Sequence, residues 1–248
     1  MKLIMRADDL GFSEAVNYGI EKAVKSGLIT SVGLMSNMEA ASHGYKLLEN
    51  ENVAIGLHTN ISNGKPISSV NLIPSLVDTD GYLYSSKKIR NRQVDEVDVL
   101  QCQVEIEAQV NRFYEISGKY PDYIDVHAVG SNNFFEAVYT ISKKLNIPCY
   151  VPNFNNDLLY EDKLVNAPMF NMDSNGLYDP KEYFEDVISK LNKNSVNVCI
   201  FHPGYLDEYI LKNSSFTLIR PMETEFLCSD WLKNWINEHE ISLLSLKK

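Results

Sequence analysis

Short apolar segments that favour β-strands alternate with segments of helical periodicity along most of this chain, and this alternation constrains the fold more than any other feature. The predicted strands are KLIMRA, ITSVGLMS, VAIGLHT, YIDVHAV, PCYVP, VNVCIFH and ISLLSL. The predicted helices cover residues 14–26, 39–50, about 95–117, 132–145, 181–192 and 222–238. Seven strands in such β/α repeats make an open parallel sheet or a barrel, and we favour an irregular TIM-like (β/α) barrel of the α/β class.

The pattern predicts a single domain over residues 1–248, because a barrel or a large α/β sheet uses nearly this whole length. Residues 59–92 interrupt the pattern with polar turns and aromatic side chains. Long connections inside compact domains are usually functional, so we expect this segment to be an active-site loop insertion. The alternative is a surface excursion that only packs on its neighbours.

The formal net charge of −10 argues against nucleic acid or an anionic membrane surface as a partner, because both select for basic patches. No stretch approaches the length of apolar residues that spans a bilayer, and the apolar run in the first residues, MKLIMRADDL, is too short for a signal peptide. Four widely spaced cysteines form no Cys-x-x-Cys pair, which indicates buried, reduced thiols. We therefore expect a cytoplasmic protein with a small-molecule partner, and a homodimer stays open.

Charged and imidazole side chains fall at the ends of several predicted strands. Asp8 and Asp9 end the first strand, and three of the five histidines end others: His58, His127 and His202. The carboxyl ends of parallel strands share one edge of a sheet, so these residues are expected to converge. One carboxylate and two imidazoles make a workable divalent-metal set with positions left open for water and substrate.

Other polar residues have weaker placements. Asp125 lies two residues before His127 and would point the same way on a strand, so it either orients that imidazole or pairs with a lysine elsewhere. His43 and His239 do not end strands, and we interpret them as surface or packing residues.

Several segments of the sequence resemble the YdjC/ChbG family of carbohydrate deacetylases. The matching segments are RADDLGFS, GLHTNIS, GKPISSVNLIPSLVDTDGYL, DVH, FHPG and RPMETEFLCSDWLKNW, which together extend over nearly the whole chain. The resemblance implies an irregular TIM-like barrel and hydrolysis of N-acetyl groups on amino-sugar oligosaccharides such as chitobiose or its phosphorylated form. It also implies a divalent metal ion, magnesium first, with zinc, manganese or cobalt as alternatives.

The same resemblance implies roles for individual residues. Asp9, His58 and His127 become the metal ligands, Asp8 the general base and His202 the catalytic acid, so that a metal-activated water attacks the acetyl carbonyl. The sequence departs from the family after Asp-x-His. It has Ala128, Val129 and Ser131 where the family commonly carries histidines.

Two other functions are compatible with the same residues. A barrel with an Asp-His-His centre also serves metal-dependent phosphoesterases and sugar isomerases. The departure after His127 is compatible with a catalytically degenerate carbohydrate-binding protein.

Candidates for substrate contacts come from segments near the motifs. Arg220 either contacts an anionic substituent of the substrate or pairs with Glu223 or Glu225 on the following helix, and we favour the helix pair. Five aromatic residues are candidates to stack on a sugar ring, although aromatic side chains pack in cores more often: Tyr82, Tyr84, Phe134, Phe135 and Tyr205.

Overall fold

The protein is built around one parallel β-sheet. Its computed structural model describes residues 1–151, 164–166, 172–173, 177–191 and 195–247. The strands are β1 (Lys2–Leu10), β2 (Ser31–Leu34), β3 (Ala54–Thr59), β4 (Ile124–Val126), β5 (Leu164–Asn166), β6 (Val196–Phe201) and β7 (Ser242–Leu243). Their order is β4-β3-β2-β1-β6-β5, and β7 pairs with the start of β1. The sheet curls into half of a barrel.

Helices connect the strands. In the described residues they are α1 (Glu14–Lys25), α2 (Ala41–Leu48), α3 (Ser86–Arg90), α4 (Val99–Ser117), α5 (Asn132–Leu145), α6 (Pro180–Lys190), α7 (Glu208–Asn213), α8 (Ile219–Leu227) and α9 (Asp230–Glu238), with one 3-10 turn at Val70–Leu72. None of these described helices is both long and apolar enough to cross a membrane.

Side chains alternate between the two faces of the sheet, and this alternation sets the environment of the site. On β1, Leu3, Met5 and Ala7 belong to the large apolar core that the helices cover. Ile4 belongs to a second, smaller cluster with Ala54 of β3 and residues of β6, which fills the inner, concave face. Since strand side chains alternate with period two, the residues that follow Ile4 at steps of two also face inward.

The α/β class and the barrel-like curl agree with the prediction, whereas the described strands form an open half-barrel in which β4 and β5 are not paired with each other. The strand predicted at PCYVP is present in the described residues only as one parallel bridge between Cys149 and Ile124. Residue 152, the last of this predicted strand, and residue 192, the last of the predicted helix 181–192, lie outside the described residues.

Two further predictions about secondary structure need correction. The helix predicted over 222–238 is two helices, because Cys228 ends α8 and the Ser229 hydroxyl caps α9 by accepting a hydrogen bond from the Leu232 N–H. The sequence analysis also missed β5 and the short helices α3 and α7. Strands and helices of three to six residues are too short to show a clear period.

Candidate metal centre and active site

The inner face of the sheet brings the predicted residues together at the carboxyl ends of the strands. Asp8 follows Ile4 at two steps of two on β1, and His58 follows Ala54 in the same way on β3. His127 directly follows β4, and His202 directly follows β6. Because all these strands are parallel, their side chains converge over one end of the half-barrel.

Asp9 reaches the same site because the strand geometry is broken at this residue. Neighbouring residues of a regular strand point to opposite faces, so Asp8 and Asp9 would normally diverge. Asp9 has a φ of 73°, in the left-handed region, and the pairing of β1 with β2 shifts between Ala7 and Leu10. Aspartate tolerates this conformation better than most residues do, and the break turns both carboxylates towards the site.

Three donor atoms form a compact triangle in this site. Asp9 Oδ1 lies 3.0 Å from His127 Nδ1 and 3.5 Å from His58 Nε2, and the two imidazole nitrogens are 3.2 Å apart. Ligand atoms held at about 2.1 Å from one divalent ion are about 3.0–3.4 Å apart when they are neighbours in its coordination shell. All three side chains are buried, and Asp9 Oδ1 makes no well-formed hydrogen bond within the described residues. This donor set therefore fits a divalent metal ion.

Neighbouring groups fix the orientation of these donors. Asp125 accepts a hydrogen bond of 2.9 Å from His58 Nδ1–H, which leaves Nε2 facing Asp9. His127 Nε2 lies 2.9 Å from the side-chain amide of Asn63. Arg220 holds Asp9 Oδ2 with a buried ion pair of 2.8 Å, so the Oδ1 atom is the one turned towards the imidazoles.

The buried charges leave the site with an excess of negative charge. Three carboxylates, those of Asp8, Asp9 and Asp125, face two guanidiniums, those of Arg6 and Arg220. With neutral imidazoles the excess is one negative charge. A cation bound among these groups would be stabilised electrostatically.

The pKa values respond to this charge distribution. Burial would raise the pKa of Asp9, but His127 and Arg220 outweigh it and hold that pKa well below its usual range. Burial would lower the pKa of His58, but Asp125 and Asp8 outweigh it and raise the pKa to about 10. Both directions indicate that positive charge is favourable between these residues.

Asp8 is held by Arg6 and keeps one oxygen available. Arg6 donates from Nη2 to Asp8 Oδ2 at 2.7 Å and contacts Asp125 from Nη1 at 2.6 Å. Burial would raise the pKa of Asp8, but Arg6 and His58 lower it below its usual value. The other oxygen, Oδ1, has no hydrogen-bond partner in the described residues, so an ionised oxygen is available to accept a proton.

His202 follows β6, which lies on the other side of β1 from β3 and β4 in the sheet order. Its backbone N–H donates to the buried Glu223 carboxylate, which also accepts from the Tyr178 hydroxyl. Burial lowers the pKa of His202 to about 4, although Asp9 and Asp8 act in the opposite direction. Burial also raises the pKa of Glu223 to about 7, and the hydrogen bonds from Tyr178 and His202 lower it only in part.

The segment that carries His202 is fixed by close backbone packing on α1. A Cβ on Gly19 would lie 2.4 Å from the Cα of Gly204. The backbone of α1 can approach this segment so closely only because Gly19 has no side chain. The Tyr205 N–H donates to the Ala15 carbonyl, and the Gly204 N–H donates to the Thr224 hydroxyl.

A cavity of about 340 Å³ opens over these groups. Asp8, Asp9, His58, His127 and His202 all line it. The segment 59–92 contributes Asn63, Ser86 and Arg90 to the wall, and Ser214, Ser215 and Phe216 contribute from the opposite side. We refer to this cavity as the metal pocket.

Two contacts differ from the sequence analysis. Asp125 orients His58 rather than His127, and it pairs with Arg6 rather than with a lysine. The two strands lie side by side with His58 opposite Asp125, a pairing that only the sheet register decides. Arg220 pairs with Asp9 and with neither Glu223 nor Glu225.

The remaining candidates have other surroundings. Phe134 and Phe135 are buried in the core, whereas Tyr82 and Tyr205 are partly exposed and Tyr84 packs against the core. His43 packs edge-on against Tyr18, and His239 stacks on Trp235.

The residues that depart from the family pattern have structural roles. Ala128 has a φ of 52° and accepts a hydrogen bond from Arg90 through its carbonyl. Val129 is buried, and Ser131 caps α5 by accepting from the Phe134 N–H.

Sequence reasoning missed three residues of the site: Arg6, Asn63 and Glu223. Arg6 lies two residues before Asp8 on the same strand, so the period of two already placed both on one face. Asn63 and Glu223 carry no such signal, because they reach the site from a loop and from a helix.

The fold and the site define an α/β protein with a parallel half-barrel and a buried cluster of one carboxylate and two imidazoles at its carboxyl end. The model of the YdjC-like protein family matches residues 2–238, and the chain belongs to this family.

Individual proteins show the same relationship. Carbohydrate deacetylase 2 of Listeria innocua is 34% identical over 99% of this chain and 97% of its own length. The chitooligosaccharide deacetylase of Yersinia enterocolitica is 25% identical over 95% of this chain and 94% of its own length. A crystal structure from Enterococcus faecalis, described as a candidate cellobiose-phosphate cleavage protein, has a TM-score of 0.83 at 24% identity and covers 99% of this chain and 97% of that one. The likeness to this structure establishes the fold.

Proposed function

We propose that this protein is a metal-dependent hydrolase that removes N-acetyl groups from amino-sugar oligosaccharides, with chitobiose or its phosphorylated form as substrate. The buried triangle of Asp9, His58 and His127 at the floor of the metal pocket carries this proposal. The names of the relatives from Listeria innocua and Yersinia enterocolitica support the same class of reaction.

The metal ligands in this proposal are Asp9, His58 and His127. A divalent ion bound there supplies Lewis-acid polarisation of a carbonyl oxygen and lowers the pKa of water. Magnesium is the first choice by family resemblance, with zinc, manganese or cobalt as alternatives. The two imidazoles favour zinc or cobalt, because magnesium and manganese prefer oxygen ligands. Arg220 and Asp125 keep two of the ligand atoms in place. Arg220 holds Asp9 Oδ2 and Asp125 holds His58 Nδ1, so that Asp9 Oδ1 and His58 Nε2 face the triangle.

Asp8 is the general base in the proposed mechanism. Its Oδ1 atom accepts the proton of the water that attacks the acetyl carbonyl carbon. Arg6 contributes in two ways, since it fixes the carboxylate by the contact to Oδ2 and keeps it ionised at neutral pH.

His202 is the catalytic acid that protonates the departing amine nitrogen. With a pKa of about 4 it is a neutral imidazole at pH 7, so in this mechanism it first accepts the proton that Asp8 has taken from the attacking water. It then donates this proton to the amine nitrogen as the bond between nitrogen and the acetyl carbon breaks, and Asp8 is left ionised again. The Nδ1 atom of His202 has no hydrogen-bond partner in the described residues, and Glu223 holds the backbone behind it. A histidinium with a lowered pKa is a strong proton donor, which suits a poor leaving group such as an amine.

The surroundings of the site complete the proposal. Residues 59–92 act as the active-site loop insertion of a single domain over residues 1–248, which is supported by the position of Asn63, Ser86 and Arg90 in the pocket wall. All four cysteines are free, which supports a cytoplasmic location because reducing compartments keep thiols unpaired.

Acetate release tests the proposed function. Purified protein is stripped with chelator, reloaded separately with magnesium, zinc, manganese or cobalt, and incubated with diacetylchitobiose or its phosphorylated form. We expect metal-dependent acetate release that Asp8→Asn abolishes while metal binding is retained. Asp80→Asn, at an exposed position of the loop, is the matched control and should keep full activity.

Other outcomes distinguish the alternative functions. Phosphate release or ketose formation in place of acetate would replace the proposal by a phosphoesterase or an isomerase. Sugar binding without turnover under any metal would replace it by a degenerate binding protein. Full activity of the Asp8→Asn variant would refute the role of Asp8 as base.

A further inference from the structure

A second cavity adjoins the metal pocket, and we call it the side groove. Its volume is about 690 Å³, and its lining comes from the loops after β1 and β2, from the segment 59–92 and from α7. Phe12 lines both cavities, with its ring edge-on to His127 at 6.0 Å on one side and to Tyr209 at 5.9 Å on the other. The side groove is therefore separated from a metal-ligand candidate by the width of one aromatic ring.

Two exposed aromatic side chains line the side groove. Tyr82, from the segment 59–92, is 46% exposed, and Tyr209, from α7, is 39% exposed. Large aromatic side chains that stay exposed beside a pocket offer flat apolar faces together with a hydroxyl group. A pyranose ring has a matching apolar face of C–H groups rimmed by hydroxyls, so these tyrosines are suited to bind a sugar. Lys65 Nζ lies over one face of the Tyr82 ring, 5.2 Å from its centroid, so a sugar would stack on the opposite face of that ring.

The loop backbone along the groove is held in place by hydrogen bonds. The Asn37 side-chain amide donates to the carbonyls of Asn63 and Lys65 at 3.0 Å each, and its oxygen accepts from the Asn60 side chain. The Gly64 carbonyl accepts a hydrogen bond from the Leu83 N–H. This bond connects the backbone next to Tyr82 to the loop residues that Asn37 holds. A groove held in this way binds a ligand at a low cost in conformational entropy.

The volumes of the two cavities suit an oligosaccharide that places one ring in each. Sites for small ligands typically have about 300–1,000 Å³. The metal pocket, with about 340 Å³, lies at the lower limit of this range and suits a single sugar ring. The side groove on the other side of Phe12 has room for a further ring.

The charge of the side groove restricts which ring it accepts. Three carboxylates line it, from Glu14, Glu39 and Asp207, against the single ammonium group of Lys65. This excess of negative charge repels a phosphorylated ring, whereas a neutral ring or one with a free amine is accepted.

We propose that the side groove is the subsite for the second ring of the substrate, and that it selects a neutral or amine-bearing amino sugar over a phosphorylated one. The inference rests on the proposed function, because it assumes that the acetylated ring occupies the metal pocket.

The first test compares substrates of one and two rings. We expect Tyr82→Ala and Tyr209→Ala to lower kcat/KM for diacetylchitobiose about tenfold, mainly through KM, and to leave kcat/KM for N-acetylglucosamine unchanged. Tyr120→Ala is the matched control, since Tyr120 is 56% exposed and precedes β4 at the opposite end of the sheet. If the advantage of the disaccharide survives in both groove variants, the subsite assignment is overturned while the proposed function stands.

The second test measures binding without turnover. Calorimetric titration of the Asp8→Asn protein with N-acetylglucosamine and diacetylchitobiose should give tighter binding of the disaccharide, and the added tyrosine substitutions should remove that difference. This measurement tests the subsite independently of the proposed function. Absence of acetate release in every assay would refute the deacetylase, whereas the difference in binding between the two sugars would still show whether the side groove binds a second ring. Equal binding of both sugars would overturn the subsite.

A third set of variants tests the charge selection. The double variant Glu14→Gln/Glu39→Gln should strengthen binding of phosphorylated diacetylchitobiose and weaken binding of the fully deacetylated glucosamine dimer, each severalfold. Binding of neutral diacetylchitobiose should stay unchanged, and unchanged binding of the phosphorylated form would refute the selection against phosphate. Loss of binding to both dimers alike, or to neither, would refute the electrostatic part of the proposal.

Discussion

Replacing Arg220 by methionine removes the buried positive charge that pairs with Asp9 in the candidate metal site. Arg220 is 1% exposed and holds Asp9 with an ion pair of 2.8 Å, and it also donates from Nε to the Phe216 carbonyl. Methionine keeps much of the volume of the side chain but leaves the Asp9 carboxylate without this partner. Removing one partner of a buried ion pair costs about 3–5 kcal/mol.

The loss depends on pH, because Asp9 limits it by taking up a proton. Neutralising a carboxyl group with an unperturbed pKa of about 3.9 costs about 4 kcal/mol at pH 7 and about 1.5 kcal/mol at pH 5. In the unchanged protein the pKa of Asp9 is lowered, so its contribution to stability is present above the unfolded-state pKa and is lost as pH falls through the folded-state pKa. We therefore expect Arg220→Met to lower the free energy of unfolding by about 3–4 kcal/mol at pH 7, and by about 1.5 kcal/mol at pH 5.

Urea unfolding in the presence of chelator measures this loss at both pH values. Arg112→Met is the matched control, because Arg112 and Glu115 form an exposed pair of 3.0 Å that is worth less than about 1 kcal/mol. Saturating divalent metal should recover part of the loss in Arg220→Met, since a bound cation replaces the missing charge next to Asp9. A loss below about 1 kcal/mol at pH 7, or an equal loss at both pH values, would refute the reasoning.

Three further substitutions test other parts of the site. Asp125→Asn should weaken divalent-metal binding about 10- to 100-fold in calorimetric titration, because the carboxylate that orients His58 is lost; unchanged affinity would contradict the role of Asp125. Glu223→Gln should flatten the dependence of stability on pH. In the unchanged protein the protonated carboxyl stabilises the fold fully below about pH 4.5, and this contribution is lost as pH rises through about 7. The free energy of unfolding in urea should therefore fall by about 3 kcal/mol over that range in the unchanged protein relative to the variant. Ser131→Ala should cost about 1–2 kcal/mol in thermal unfolding and leave catalysis intact, because its hydroxyl caps α5 and donates to Asp95; loss of activity in a folded variant would show that Ser131 also acts in the site.

Convergence of the site was predictable from the sequence, because it follows from two local rules. Parallel strands end at one edge of the sheet, and side chains alternate along each strand, so Asp8, His58 and His127 had to meet once the strands were identified. The helix boundaries were also predicted well where a polar cap begins the helix, as at Ser131 before α5.

The short elements were not predictable in the same way. The helix predicted over 222–238 is broken at Ser229, since a serine that caps the second helix also fits a continuous amphipathic pattern. The α7 helix has six residues and is too short for a periodic signal.

The sequence by itself determined the class of fold and the strand ends at which the candidate site residues lie. Only the tertiary structure decided which groups pair between elements: Asp125 with His58, Arg6 with Asp125, and Arg220 with Asp9 across more than two hundred residues of chain. The physical reason is that periodicity fixes the face on which a side chain lies, whereas a contact between elements depends on sheet register and packing. Those are set by the whole core at once and leave no trace in the local sequence.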